Sequence, residues 1–274
     1  MLNNTSKGIA ALIVMTCIGA SMGLFARWLE EAMGLYQQVF FRILAGFILG
    51  IPLFYKKTNL SKVHHIPLGE WLLIFLRGSA IYLFGITFGT RAFIAAKYSN
   101  VAFIMALPVT ALLGLIIFRG SFNFRKIILL ITSFIGVLII AVKDYTQIFI
   151  WDVGAYWALL ATSLVSFGIL ARKWHSELLN NQEITQLVLF FAVIQLFIAS
   201  LATGESIGAI KWSFATIVVV FTAGLFNVLY MLLANYGFQK VDALLANNIV
   251  GMQPIFAIVI GYIGFQDIPT MHLA

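Results

Sequence analysis

The sequence has little charge, almost no cysteine and no acid in the middle of any apolar run. Lys, Arg, Asp and Glu together supply 10% of its 274 residues. Soluble domains carry roughly 25%, so a large soluble core is excluded. The one cysteine, Cys17, excludes an internal disulfide and a cysteine metal cluster. Inside the first apolar run it reads as a small buried hydrophobe. No Walker loop, HExxH or GxSxG motif occurs, so the corresponding nucleotide, zinc-hydrolase and serine-hydrolase chemistries have no sequence support. Glu70, Glu183, Asp152 and Asp242 all stand near the ends of runs. A carboxylate proton relay through the bilayer centre is therefore not expected. The net charge of +7 does not point to nucleic acid. Its basic residues sit singly or in pairs at run ends, without a stripe of Arg and Lys between aromatics.

What the chain does have is apolar length: 62% of its residues are hydrophobic. Nine runs are legible, at 8–26, 34–54, 70–90, 98–118, 125–142, 152–172, 184–203, 213–235 and 242–265. About 20 apolar residues cross a bilayer of roughly 30 Å as a helix. Backbone groups bare to lipid are costly, so each run is predicted helical. Barrel strands would be about 10 residues long and alternate in polarity; these runs do neither. The first run is read as a membrane helix and not a cleaved signal, because eight more follow it. The longest polar stretch is Lys56 to Gly69, so one membrane domain is expected.

The basic residues give an orientation. With the N-terminus on side A, that side holds Lys7, Lys56, Lys57, Lys62, Arg119, Arg125, Lys126, Arg172, Lys173 and Lys240. Side B holds Arg27, Arg91, Lys97, Lys143 and Lys211. Side A is expected to be cytoplasmic, in a cell (cytoplasmic or inner) membrane. Arg42 and Arg77 lie inside runs, where their long stems allow snorkelling.

An internal offset of 146 residues organises the rest. Gly8 answers Gly154, Trp28 answers Trp174, Gly78 answers Gly224 and Pro108 answers Pro254. Only 12 of 128 aligned positions are identical, so the weight rests on which residues match. Five helices per copy is an odd number, so the second copy would enter the membrane inverted, a common way to build a transporter. The expected units are 1–145 and 146–274. The second is predicted to stop after four helices, with the partner of 125–142 falling at roughly 271–288 by the same offset.

Short motifs recur on this frame. Phe40-Phe41-Arg42, Leu76-Arg77-Gly78, Thr90-Arg91-Ala92-Phe93 and Leu107-Pro108-Val109 occupy the first copy. Asn235-Tyr236-Gly237-Phe238 and Gln253-Pro254-Ile255 repeat the last two in the second. In these the chain resembles the EamA-like members of the drug/metabolite transporter superfamily. The resemblance implies an all-α integral membrane fold with ten helices in an inverted 5+5 repeat, nine of them visible here. It implies a carrier or exporter of small organic solutes, with a central cavity lined mainly by spans 1, 3, 4, 6, 8 and 9. Arg119-Gly120-Ser121 departs from the family's usual acidic residue after span four, whereas Gln266-Asp267 is nearer the pattern.

Candidate substrate contacts are Arg77, Tyr82, Trp157, Asn227, Tyr230, Asn247, Asn248 and Gln253. Arg77 offers a charge to an anion; the amides bond solutes without the desolvation cost of a full charge; Tyr and Trp join an apolar body to a polar tip. Each has a plainer reading as interhelical bonding or packing. Pro108 and Pro254 break helical hydrogen bonds and mark kinks or hinges, freeing carbonyls near Ile104 and Val250. Gly19/Gly23 and Gly85/Gly89 form GxxxG pairs that let helices approach. His64-His65 is not read as a metal site, no cofactor is expected, and the lysines beside it are expected to touch anionic lipid. The expected partners are a small-molecule substrate and the lipid bilayer, and no enzyme activity is expected. The alternatives are a non-transporting membrane scaffold and a lipid-acting membrane enzyme, the latter hinted at by His175 with Glu177.

Overall fold

The apolar runs become helices because lipid offers no partner for peptide N–H and C=O groups, and the helix satisfies them internally. The computed structural model describes residues 4–96, 101, 104–105, 107–117, 128, 131–132, 135, 153–253, 255–257 and 259–260. Among these residues every regular element is helical. The helices are α1 (Asn4–Glu30), α2 (Leu35–Phe54), α3 (Leu68–Gly78), α4 (Thr87–Ala95), α5 (Val109–Ile117), α6 (Val153–Leu170), α7 (Asn181–Ala202), α8 (Phe214–Lys240) and α9 (Ala243–Val250). A π-helical segment, Ser79–Ile86, joins α3 to α4.

Six helical stretches are long and apolar enough to cross a membrane: Asn4–Glu30, Leu35–Lys57, Leu68–Ala95, Val153–Trp174, Asn181–Ala202 and Phe214–Lys240. They correspond to the expected spans 1, 2, 3, 6, 7 and 8. Part of the expected span 4, most of span 5 and the end of span 9 lie outside the described residues.

Polar residues set the helix ends. The Asn180 side chain accepts from the Glu183 amide at 2.9 Å, and Glu183 Oε2 accepts from the Asn180 amide at 2.8 Å. That reciprocal cap starts α7. Ser213 Oγ accepts from the Thr216 amide at 3.0 Å and starts α8. α2 is capped from a distance. Glu205, in the α7–α8 link, accepts from the amides of Tyr36 at 3.1 Å and Gln37 at 2.8 Å. A carboxylate there meets the positive end of the helix dipole.

The centre of the bundle is the contact of α2 with α7 and α8, filled by Ile43, Val188, Leu189, Leu196, Val228 and Met231. Two contacts recur under the 146-residue offset. A Cβ on Gly224 would stand 2.7 Å from the Gly46 nitrogen, and a Cβ on Gly78 would stand 3.5 Å from the Ala192 nitrogen. Residues 46 and 224 map onto 192 and 78. Likewise Glu205 accepts from the Gln37 amide, and Glu183 accepts from the Asn59 amide at 2.9 Å. Residues 37 and 59 map onto 183 and 205.

Two expectations need correction. Cys17 is exposed, not buried. The packed face of α1 runs through Leu12, Met15, Thr16 and Ala20, and Cys17 falls off it. Lys62 is held by protein, its ammonium 3.1 Å from Glu183 Oε2.

Candidate functional site

The described helices enclose a cavity of about 120 Å³. One wall comes from α1, with Met15, Gly19 and Met22. The π segment and α4 add Gly85, Ile86, Gly89, Thr90 and Phe93. α6 supplies Ala161, Thr162, Val165 and Ser166; α8 supplies Asn227, Tyr230 and Phe238. Arg42 enters from α2, Leu107 and Thr110 from the fourth span, and Val250 and Gln253 from the ninth. These walls come from the spans the resemblance implied, with span 2 added. Phe93 and Phe238 close the two related motifs and both face this space.

Local irregularity makes the cavity possible. Thr87 Oγ1 donates to the Tyr82 carbonyl, five residues back, at 3.2 Å. A widened turn of this kind is frequent at functional sites. A Cβ on Gly85 would stand 2.6 Å from a Val165 methyl and 2.7 Å from the Ala80 carbonyl, so only glycine permits this approach of the π segment to α6. The fourth span is interrupted at 107–108, with Pro108 just before the first turn of α5, where its missing N–H costs nothing. The Ile104 carbonyl is not free as expected: the Leu107 amide donates to it at 3.1 Å. In the ninth span the helix opens at 251–252, where the Met252 amide donates to the Ile249 carbonyl at 3.0 Å. Pro254 itself lies outside the described residues, as does the Asn247 side chain.

Of the expected contacts, Asn227, Tyr230 and Gln253 line the cavity. The Asn227 amide nitrogen is tied to its own helix, donating to the Ala223 carbonyl at 2.7 Å. Arg77, Tyr82, Trp157 and Asn248 are not among the lining residues. Tyr82 is buried, and among the described residues its hydroxyl and the Asn248 amide oxygen have no hydrogen-bond partner. Trp157 lies toward side B, its ring under the Arg91 guanidinium at 4.6 Å and beside Phe88 at 4.9 Å.

Arg77 belongs to a buried network toward side A. Its Nε donates to the Gly168 carbonyl at 2.7 Å and its Nη2 to Asn235 Oδ1 at 2.8 Å. Asn235 in turn donates to Thr185 Oγ1 at 2.9 Å. Arg77 Nη1 lies 3.1 Å from His175 Nε2. A guanidinium only donates, so Nε2 accepts and the ring proton resides on Nδ1. That proton is donated to Glu70 Oε1 at 2.6 Å. Burial, then the Arg77 charge, pushes the His175 pKa from 6.5 down to about 4, against the pull of Glu70. His175 therefore pairs with Glu70 of α3, not with Glu177. The ring is fully covered and spent on structure, which gives the lipid-enzyme alternative no reacting group at this point.

Sequence reasoning favoured snorkelling over a cavity contact for Arg42 and did not single out Thr90. Arg42 stood beside Arg77 as a second charge inside a run, and nothing in the pattern says which of two buried arginines is satisfied by protein. Thr90 sits in a recurring motif, but a threonine in a helix ordinarily bonds its own backbone. Here its hydroxyl accepts from Arg42 Nη2 at 3.0 Å.

No curated protein matches the chain. A solved structure, described as a crystal structure of a protein, is similar to it with a TM-score of 0.69 at 15% identity, over 95% of this chain and 87% of that one. At that identity the likeness shows the fold alone. A family model for the EamA-like transporter family matches residues 152–273. Over residues 152–273, less than half of its length, the chain is similar to the EamA-like transporter family, and with six helices long and apolar enough to cross a bilayer it is a multi-pass membrane protein.

Proposed function

We propose that the protein is a secondary carrier of small organic metabolites, amino acids or related amphipathic compounds among them, working by alternating access. The carrying observation is the cavity, because its walls come from both halves of the chain and its lining is largely apolar with a few polar groups. The reading of 1–145 and 146–274 as inverted repeats rests on the recurring Gly46–Gly224 and Gly78–Ala192 approaches and the matching Gln37–Glu205 and Asn59–Glu183 bonds. Interrupted fourth and ninth spans beside the cavity suit a wall that moves. The ten-to-five excess of basic residues on side A favours a cytoplasmic N-terminus in a cell membrane. The lack of a mid-span carboxylate favours facilitated diffusion or exchange over proton coupling.

The test is reconstitution. Liposomes loaded with a panel of labelled metabolites should lose at least one faster than protein-free liposomes, and an excess of that metabolite on the far side should accelerate the loss. Efflux indistinguishable from empty liposomes across the panel would refute the carrier reading.

A further inference from the structure

Arg42 and Arg77 are each 1% exposed inside membrane-spanning helices, and the protein treats them in opposite ways. Arg77 has all three nitrogens engaged, with the Glu70 carboxylate behind its histidine partner. Among the described residues Arg42 has one bond, from Nη2 to the Thr90 hydroxyl at 3.0 Å, and its Nε finds no acceptor. Thr90 is neutral and balances no charge. A buried charge without a partner is costly in a membrane protein. Yet Arg42 lines the cavity, and no Asp or Glu is among the other described lining residues. Under the 146-residue offset its counterpart is Val188, so one half of the chain alone supplies the charge.

We propose that Arg42, steadied by Thr90, binds the carboxylate of the transported solute, and that the solute is a monocarboxylate with an apolar body. This deepens the carrier reading above and rests on it. The planar fork of a guanidinium matches a carboxylate through two parallel hydrogen bonds. Thr90 takes one of the two N–H bonds of Nη2, which fixes the plane of the guanidinium; the second, side by side with an Nη1 N–H, forms the fork left for the incoming group. The rest of the wall fits an apolar body: Met15, Met22, Ile86 and Phe93. Gln253 makes no hydrogen bond to another described residue and is left to bond a carbonyl or hydroxyl substituent. An ammonium group would find only neutral acceptors among the described lining residues, so the site favours a simple acid over a zwitterionic amino acid of the same skeleton. A phosphate dianion would leave excess negative charge on a single arginine.

The test uses the purified full chain in detergent and reads direct binding by calorimetry, without transport. The probes share one skeleton: 4-methylpentanoate, its neutral amide, leucine and 3-methylbutyl phosphate. The acid is expected to bind at least about tenfold more tightly than the amide, the size of one charge-assisted contact. R42Q should bring that ratio close to one, R42K should keep the preference at reduced affinity, and T90V should weaken the acid more than the amide. The last two retain the charge and report even where R42Q does not fold. The proposal is overturned if no probe binds, if wild type binds acid and amide alike, if leucine or the phosphate binds best, or if R42Q keeps the preference. Carrier failure looks different: acid binding that depends on Arg42, with no movement of the acid across liposomes.

Discussion

Replacing Gly224 with alanine tests a close contact of glycine against backbone between the two halves. A Cβ there would stand 2.6 Å from the Ala45 Cβ, 2.7 Å from the Gly46 nitrogen and 2.9 Å from the Ala45 carbonyl carbon. Ordinary contact begins at 3.4 Å, and two of the three obstacles are backbone, so no side chain can swing away. α2 and α8 must separate by roughly 1 Å, and overpacking against backbone that cannot swing away costs about 2–3 kcal/mol, the upper part of the usual range. Alanine's better helix propensity returns about 1 kcal/mol, leaving a net loss of about 1–2 kcal/mol. For a chain of this length each kcal/mol moves Tm by about 2–4 °C. G224A should therefore melt about 2–8 °C below wild type in detergent. Two controls set the scale. At Gly78 the nearest atom to an added Cβ is the Val188 carbonyl at 3.3 Å, and at Gly69 nothing lies within 4 Å. The expected order of Tm is G69A, then G78A, then G224A at the bottom. G46A opens the same gap, because its Cβ would meet the Gly224 carbonyl at 2.8 Å. The G46A/G224A double variant should thus lose less than the sum of the singles. A G224A protein that melts at or above wild type would refute the contact as described.

Three further outcomes follow from the polar groups. R77Q strands the Glu70–His175 pair without its cation and should cost about 3–5 kcal/mol, read as a lower detergent melting point or loss of monodisperse protein. His175 has a folded pKa near 4 against 6.5 in the unfolded chain, so the unfolded state binds more protons in that window and stability falls as pH drops through it. Tm should be level above pH 6.5 and decline toward pH 4, and H175Q should flatten the decline; a Tm that rises on acidification would contradict the assignment. E205Q keeps the size of the acceptor but loses its charge at the start of α2, and should lower stability by about 0.5–1 kcal/mol, an effect that high salt reduces.

Hydropathy made the spanning helices legible, because a 27-residue run such as α1 has few ways to exist in lipid other than as a helix. The offset pairs Gly78 with Gly224, and an added Cβ on each would approach a backbone nitrogen, that of Ala192 and that of Gly46. Function-bearing detail was less legible. The π segment leaves no periodic signal, since Gly85 reads equally well as a packing glycine in a GxxxG pair. Periodicity could not separate Arg42 from Arg77 either. Both are single charges several residues inside an apolar run, and what differs is the partner brought from elsewhere: Asn235 lies 158 residues from Arg77 and His175 lies 98. Trp157 and Tyr82 had the right depth and chemistry, but they turn toward Arg91 and the helix core, and depth alone gives no azimuth.

The distribution of polar and apolar contacts bears on how such a bundle would move. Between the halves, the middle is held by glycine against backbone, a contact that hinges without exchanging hydrogen bonds. Toward side A the halves are tied by directional bonds: Arg77 to Asn235, His175 to Glu70, and Lys62 and Asn59 to Glu183. Toward side B they are tied through Glu205 to the first amides of α2. On the carrier reading, opening either side means breaking its set, and the side-A set is larger and more deeply buried. Removing one of its members should then shift the resting population toward a state open on side A. E70Q, which weakens the acceptor but preserves its shape, is the mildest such change. A cysteine placed at Ser166 within the cavity of E70Q protein should be labelled faster by a side-A reagent than the same cysteine in the parent; equal or slower labelling would mean that this network does not hold side A shut.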